Sequence, residues 1–197
     1  SWLGPAACAA GPASPLALHW APMLGRRNIF LIGPMGSGKS AVGKLLARQL
    51  RAPYYDSDAE IENRTGVDIP YIFEKEGEAA FREREREVIE LLTAMEPVVV
   101  STGGGAILRP ENRACLADRG VVVYLETSID QQVGRVQHGR HRPLLHNVDP
   151  GEKLAELMAQ REPLYRGTAD ITIATDGRKV HQVVDRILAA IREPAPG

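Results

Sequence analysis

Apolar and polar residues follow a regular order from Asn28 onward. The first apolar run, Ile29–Ile32, is continuous, which is typical of a strand buried on both faces of a sheet. The next segment, Lys39–Leu50, carries apolar residues three and four positions apart, which is the spacing of an amphipathic helix. The pattern therefore predicts a buried strand, a short loop and a helix at the start of the folded part of the chain.

The same alternation continues along the rest of the chain. Strands that alternate with helices imply a parallel sheet covered by helices on both faces, so the pattern predicts an α/β fold. Asp149 and Pro150 mark the start of one helix, as N-cap and first helical residue, and Thr127 with Asp130 marks the start of another. The further predicted strands are Pro53–Tyr55, Val98–Val100, Val121–Leu125 and Ile171–Ile173, and the further helices are Asp58–Glu62, Ile69–Lys75, Glu78–Met95, Glu111–Asp118, Thr127–Arg135 and Lys179–Ile191.

The two ends of the chain differ in composition from the middle. Residues 1–22 contain no Lys, Arg, Asp or Glu and have prolines at positions 5, 12, 15 and 22, which exclude a long helix. We expect residues 1–24 to be a disordered extension or an expression remnant; the alternative is a processed targeting segment, although the basic start of a signal peptide is missing. Residues 25–192 are expected to form one domain, with a flexible tail at 193–197.

Composition and charge narrow the functional classes. A chain of 197 residues with a formal net charge of -1 gives no whole-protein argument for binding nucleic acid or an anionic membrane. No apolar run approaches the ~18–20 residues that a membrane span requires. Cys8 and Cys115 lie in very different settings, so neither a disulfide nor a metal site is expected and a cytoplasmic location is the default.

A phosphate-binding loop follows the first predicted strand. Gly33–Ser40 fits the pattern G-x-x-x-x-G-K-[ST] between a strand and a helix, where backbone amides and the helix N-terminus attract phosphate. The alternative is a glycine-rich turn without a ligand. A GTPase is disfavoured because N-K-x-D and a D-x-x-G switch are missing, which leaves phosphoryl transfer to a small molecule. The residues predicted to contact ATP here are Gly36, Ser37, Gly38, Lys39, Ser40 and Ala41, with Ser40 also a ligand of Mg²⁺.

Two carboxylates end the second predicted strand. Asp56 and Asp58 stand two residues apart, so on an extended chain their side chains would point to the same side, toward the ligand crevice at the carboxyl end of the sheet. One could hold Mg²⁺ through water while the other orients a hydroxyl or accepts its proton. The alternative is a polar turn in which Asp58 caps the next helix.

These motifs and several later ones resemble the shikimate kinase family. The later ones run in family order between about residues 28 and 190, and together they are far more specific than any one alone. They are Ile72-Phe73, Gly77-Glu78, Phe81-Arg82, Glu85, the triple glycine Gly103–Gly105, the lid sequence Arg142-Pro143-Leu144-Leu145 and Arg161-Glu162-Pro163-Leu164-Tyr165.

The resemblance implies a three-layer P-loop kinase fold with a five-stranded parallel sheet and a mobile lid. It also implies an ATP-dependent kinase that phosphorylates the 3-hydroxyl of shikimate for aromatic amino acid synthesis. Mg²⁺ is the expected cofactor, shikimate and ATP are the expected partners, and a cytoplasmic monomer is expected. The implied roles are catalysis for Lys39, Asp58 and Arg142; ATP contact for Arg135, Arg142 and Arg178; shikimate contact for Asp58, Arg82, Gly103, Gly104, Gly105 and Arg161; and Mg²⁺ binding for Ser40 and, through water, Asp56.

The types of residue present are also those that binding shikimate would require. A small anion with a carboxylate and several hydroxyls requires arginines, which pair with a carboxylate through two parallel hydrogen bonds, and an acid for the hydroxyls. Arg82 lies in an alternating run of Arg and Glu, so its other interpretation is a solvated helix face, which we accept for Arg84 and Arg86. The triple glycine would bring bare backbone amides to the substrate, or else form a flexible turn.

Two further classes of function stay open from the sequence. The first is a non-catalytic member of the same fold that binds a nucleotide and acts as a regulator or chaperone. The second is a kinase for another small acid, such as gluconate. Within the lid, His138 and His141 could contribute to a metal site and the basic residues to a nucleic-acid patch, but no acid, thiol or aromatic side chain completes either one.

Overall fold

A parallel sheet forms the centre of the molecule. The computed structural model of the chain describes residues 28–136 and 149–192. Within these residues, five strands pair in parallel in the order β2-β3-β1-β4-β5, which confirms the predicted fold class. The strands are β1 (Ile29–Ile32), β2 (Tyr54–Asp56), β3 (Val99–Ser101), β4 (Val121–Glu126) and β5 (Ile171–Ala174).

Helices cover both faces of this sheet. Each crossover between parallel strands carries at least one helix, as such connections require. The helices are α1 (Lys39–Leu50), α2 (Ser57–Thr65), α3 (Ile69–Lys75), α4 (Gly77–Thr93), α5 (Pro110–Arg119), α6 (Ile129–Val136), α7 (Pro150–Thr168) and α8 (Val180–Arg192), with a 3₁₀ turn at Ala106–Leu108.

The alternation of side chains along the strands divides the core into two layers. In β1, Ile29 and Leu31 face α1 and α8, whereas Phe30 and Ile32 face the opposite layer. That second layer is built mainly from α4, α5 and α7. Because both faces of β1 are fully covered, all four of its residues are buried and its sequence is apolar throughout.

Strand order brings three loops to one edge of the sheet. β1 pairs with β3 in the register Leu31↔Ser101, and β2 pairs with β3 in the register Asp56↔Ser101. The loops that follow β1, β2 and β3 therefore leave the sheet side by side. In a parallel sheet this carboxyl edge is where ligands bind.

The structure adjusts some predicted boundaries. β2 begins and ends one residue later than expected, and the 3₁₀ turn after the triple glycine was not predicted. Asp149 caps α7 as predicted, because its side chain accepts a hydrogen bond from the Glu152 amide.

The predicted N-cap of α6, Thr127, is one residue too early. Ser128 accepts the capping hydrogen bond from the Gln131 amide, while Thr127 is buried against Thr175.

The terminal segments predicted as an extension and a tail, like the lid, lie outside the described residues. A search of residues 28–136 and 149–192 finds no helix with the length and apolar character needed to cross a membrane.

Candidate active site

A cleft of about 770 Å³ opens at the carboxyl edge of β1, β2 and β3. Residues from the phosphate-binding loop form one side of it, and residues from α2, α4, α7 and the triple glycine form the other. Most of the residues predicted from the sequence as functional line this one cleft. They are Gly36, Gly38, Lys39, Ser40, Ala41, Asp56, Asp58, Arg82, Gly103, Gly104, Gly105, Arg135 and Arg161.

The phosphate-binding loop is held open by its own backbone and by Lys39. Gly33 has φ of 145°, and a side chain there would come within 2.7 Å of the Leu125 carbonyl oxygen, so the loop needs glycine at that position. Lys39 Nζ donates hydrogen bonds to the carbonyl oxygens of Gly33 and Pro34, both at 2.8 Å. The ammonium group is therefore held across the loop, in the position from which a phosphate could replace the carbonyl oxygens. Ser37 is buried beneath the loop and also accepts from Lys39.

Ser40 and Asp56 provide a pair of oxygen ligands beside the loop. Ser40 Oγ lies 2.9 Å from Asp56 Oδ2, and Tyr54 Oη donates to the same carboxylate oxygen at 3.4 Å. Oxygen atoms of this kind are the ligands that Mg²⁺ prefers. Among the described residues there is no cluster of three or more His, Cys, Asp or Glu side chains suited to a metal. The pair therefore fits a cation that takes most of its ligands from phosphate and water.

Asp56, and not Asp58, is the N-cap of α2. Asp56 Oδ1 accepts hydrogen bonds from the amides of Asp58 and Ala59. The alternative in which Asp58 caps this helix is therefore wrong. Strand alternation does not place Asp58 on the face of Asp56 either, because β2 ends at Asp56 and the helix starts at Ser57. Asp58 reaches the cleft as the second residue of a helix.

The Asp58 carboxylate lies in an unusual electrostatic environment. Its Oδ1 is buried and has no hydrogen-bond partner among the described residues. A side chain on Gly103 would come within 2.6 Å of Asp58 Oδ1 and 2.9 Å of Glu85 Oε1, so the two carboxylates converge on the same point. Burial, and then the negative charges of Glu85 and Asp56, raise the pKa of Asp58 from 3.8 to about 7, against the opposing influence of Lys39 and Arg82.

Arg82 is held at the cleft by two acids and a ring. Its Nη1 donates to Glu85 at 2.8 Å, its Nη2 donates to Glu78 at 3.1 Å, and its guanidinium lies 5.1 Å from the centre of the Phe81 ring. The Arg82 side chain is 11% exposed and that of Glu85 only 1%. Arg84, in contrast, pairs with Glu76 at the surface, as the interpretation of a solvated face predicted.

Glu85 is a residue of the site to which the sequence alone assigns no role, and it lies beside Arg82. It is buried, its pKa is raised by burial, and it contacts the arginine that faces the cleft. A signal was available: Glu85 follows Phe81 by four residues and precedes Val88 and Leu92, so it occupies a position on the apolar stripe of α4.

Arg161 enters the cleft from α7. The residue is only 6% exposed, and its Nε is buried without a hydrogen-bond partner in the described part of the chain. Arg161 Nη1 lies 3.6 Å from the place where a side chain on Gly104 would stand. A buried guanidinium with an unpaired donor at a cleft is suited to bind an anionic group.

The triple glycine lies between these charged side chains. A side chain on Gly105 would come within 2.5 Å of the Arg82 guanidinium, so this close approach needs glycine. The expectation of bare amides is wrong for Gly103, because its amide donates to Ser57 Oγ at 3.0 Å. Gly104 and Gly105 line the cleft.

Two of the arginines predicted to contact ATP differ in position. Arg135 lines the cleft and donates to the Gly36 carbonyl oxygen at 2.6 Å. Arg178 is not among the residues that line the cleft within the described chain, and it donates to the Ala174 carbonyl oxygen at 2.6 Å. Its contact with ATP stays a prediction. Arg142, with the rest of the predicted lid, lies outside the described residues.

Comparison with known proteins gives a consistent result. A family model described as shikimate kinase matches residues 35–192. A shikimate kinase of Pseudomonas syringae pathovar tomato is 55% identical over 170 residues, which cover 86% of this chain and 99% of the relative. A shikimate kinase of Methylococcus capsulatus is 52% identical over 168 residues, which cover 85% of this chain and 94% of the relative.

Solved structures agree with the sequence comparisons. Shikimate kinase from Acinetobacter baumannii in complex with shikimate has a TM-score of 0.83 and 45% identity, covering 87% of this chain and 96% of that one. Shikimate kinase from Aquifex aeolicus has a TM-score of 0.74 and 39% identity, covering 83% of this chain and 95% of that one.

Proposed function

The chain belongs to the shikimate kinase family, and from that premise we propose how its residues divide the work of the reaction. The activity is ATP-dependent phosphorylation of the 3-hydroxyl of shikimate, which yields shikimate 3-phosphate and ADP in the synthesis of aromatic amino acids. The division of roles is inferred from the cleft itself. A phosphate-binding loop lies on one side of it, and two arginines and a buried acid lie on the other.

The phosphate-binding loop is proposed to hold the donor. Backbone amides at Gly36–Ala41 surround the phosphates, and Lys39 exchanges its two carbonyl partners for phosphate oxygens when ATP binds. Because the charge on these oxygens grows during transfer, the ammonium group stabilises the transition state more than the ground state. Arg135, held against the Gly36 carbonyl, covers the same side of the cleft.

Ser40 and Asp56 are proposed to hold Mg²⁺, Ser40 directly and Asp56 through water. The two oxygen atoms already share a hydrogen bond at 2.9 Å, and Tyr54 and the amides of α2 fix the carboxylate. When bound, Mg²⁺ neutralises charge on the phosphates and aligns them. The support comes from the type of ligand atom and from their position beside the loop.

Arg82 and Arg161 are proposed to bind the shikimate carboxylate from two sides. They come from different helices, both reach the cleft, and both are largely buried, so an anion between them would be shielded from water. Each planar guanidinium can pair with both carboxylate oxygens. This arrangement favours a small carboxylic acid over a neutral sugar.

Asp58 is proposed to orient the 3-hydroxyl and accept its proton. A carboxylate with a pKa of about 7 is deprotonated in half of the molecules near neutral pH, and it is a stronger base than an ordinary aspartate. Its buried Oδ1 has no partner in the described chain, which leaves an acceptor for the hydroxyl of a substrate. Arg142 is proposed to close over the phosphates from the lid, and Arg178 to contact the nucleotide; both proposals rest on the sequence alone.

An ADP-release assay with several acceptors tests the proposed function. We expect shikimate to stimulate ADP release strongly, and quinate and gluconate to do so weakly. Phosphorus NMR of the product should give a phosphate ester on the 3-hydroxyl. Turnover that is no faster with shikimate than without any acceptor would refute the proposal. A monomer in the cytoplasm belongs to the same proposal and is tested by light scattering and cell fractionation.

A further inference from the structure

Tyr165 makes a buried contact with the triple glycine that no role described above uses. It lies on α7 and is 0% exposed, and its Oη donates a hydrogen bond to the Gly104 carbonyl oxygen at 2.5 Å. Its ring stacks on Tyr124 of β4 with centroids 5.0 Å apart and an angle of 16° between the ring planes. The hydroxyl is therefore held by a rigid stack that rests on the central sheet.

A second side chain of the same helix lies near the same glycine. Arg161 precedes Tyr165 by four residues, so the two side chains lie on one face of α7. Arg161 Nη1 comes within 3.6 Å of the position that a side chain on Gly104 would take. That same position is 3.5 Å from the Met35 amide nitrogen and 3.6 Å from the Gly33 carbonyl oxygen of the phosphate-binding loop. Gly104 is thus the point at which α7, the acceptor side and the donor side meet.

Each peptide of the triple glycine has a different support. The Gly103 amide donates to Ser57, the Gly103 carbonyl accepts from the Ala106 amide, and the Gly105 carbonyl accepts from the Leu108 amide. The Gly104 carbonyl is held by Tyr165.

A trans peptide directs its C=O and N–H in opposite directions. A Gly104 carbonyl fixed toward Tyr165 therefore directs the Gly105 N–H away from Tyr165, and Gly105 lines the cleft beside Arg82.

We propose that Tyr165 is a positioning residue for the acceptor: its hydroxyl fixes the Gly104–Gly105 peptide so that the Gly105 amide faces the anionic substrate between Arg82 and Arg161. This inference rests on the proposed function and adds a residue to it. The hydroxyl acts through the glycine backbone and does not touch the substrate. Its loss should affect the binding of shikimate and leave the binding of ATP nearly unchanged.

Tyr165→Phe is the direct test, because it keeps the stacked ring and removes the hydroxyl. We expect the KM for shikimate to rise about three- to tenfold, which is the range for the loss of one neutral hydrogen bond, while the KM for ATP stays within about twofold. The amides of Gly104 and Gly105 should also exchange with solvent faster, as measured by NMR on the variant without ligands.

Tyr124→Phe is the matched control from the same stacked pair. Its hydroxyl is buried without a hydrogen-bond partner among the described residues, so removing it deletes the same atom from the neighbouring ring without touching Gly104. Both KM values should remain as in the wild type. The inference is overturned if Tyr165→Phe leaves the KM for shikimate unchanged, or raises both KM values equally, at a temperature where the variant is folded. Wild-type protein that does not phosphorylate shikimate would instead refute the proposed function.

Discussion

Replacing Asp58 by Asn separates the catalytic use of this carboxylate from its effect on stability. The change keeps the size of the side chain and one acceptor oxygen, but it removes the charge and the basicity. If Asp58 accepts the proton of the 3-hydroxyl, turnover should fall by a factor on the order of 10² or more. ATP should still bind, because the phosphate-binding loop is untouched.

The effect on stability follows from the pKa of Asp58. Its value in the folded protein is raised from 3.8 to about 7, chiefly by burial. A raised pKa means that the stabilising contribution is complete below the unfolded value and is lost as the pH rises through the folded value. Ionisation of this buried carboxyl therefore lowers the stability of the wild type by up to about 4 kcal/mol above about pH 7. Roughly half of that stability is already lost at about pH 5.5. Asn does not ionise and avoids this cost.

Thermal unfolding at two pH values is the decisive measurement. At about pH 8 the variant should melt higher than the wild type by roughly 8–16 °C, since about 1 kcal/mol shifts the melting temperature of a domain of this size by roughly 2–4 °C. The difference should shrink at about pH 5.5, where the wild-type carboxylate is mostly protonated. Asp149→Asn is the matched control, because Asp149 is an exposed N-cap, where Asn serves about as well.

Two outcomes would contradict this reasoning about Asp58. Retained turnover in Asp58→Asn would remove the residue from the reaction. A variant that melts lower than the wild type at about pH 8 would mean that the ionised carboxylate is stabilised by partners that outweigh its burial. A variant that is more stable than the wild type but inactive would instead show that the Asp58 carboxylate serves catalysis although it lowers the stability of the fold.

Four further predictions concern the same cleft. Lys39→Ala should lower turnover by about 10²-fold or more with little change in melting temperature, and near-normal turnover would contradict the kinase mechanism. Arg82→Lys should raise the KM for shikimate more than that for ATP, whereas Arg84→Lys, a surface control, should change neither. Asp56→Asn should increase the Mg²⁺ concentration needed for half-maximal rate, measured alongside Mg²⁺-dependent nucleotide binding by calorimetry. In the wild type, kcat/KM for shikimate should fall as the pH drops below about 7, because Asp58 becomes protonated.

Local sequence was sufficient for the donor side of the site. β1 and α1 have the predicted bounds, because a continuous apolar run, a glycine-rich loop and a helical repeat follow one another without interruption. Gly33–Ser40 is a contiguous motif, so its structure depends little on distant residues. Lys39 and Ser40 lie where that motif predicts, on the cleft.

The acceptor side depends on contacts between distant segments, and sequence patterns describe these less well. Glu85 is buried and accepts a hydrogen bond from Arg82. In the sequence it looks like part of a surface run of charged residues, and only the packing of α4 shows that it is buried. Tyr165 reaches a glycine 61 residues away, and nothing in its local pattern indicates that partner. Asp58 was expected on the face of Asp56 because the strand was assumed to continue, whereas a helix begins at Ser57.

The pairing of β1 with β3 sets a fixed distance inside the enzyme. The Thr102 amide donates to the Leu31 carbonyl oxygen at 3.1 Å, so the ladder continues to the point where the two loops depart. The donor and acceptor loops therefore start one strand spacing apart, about 4.8 Å, a length determined by backbone hydrogen bonds and not by side chains. Substitutions in the loops can alter affinity without altering that distance. On heating, the two halves of the site should separate only when the sheet itself opens, so loss of catalysis and loss of the fold should occur in one transition.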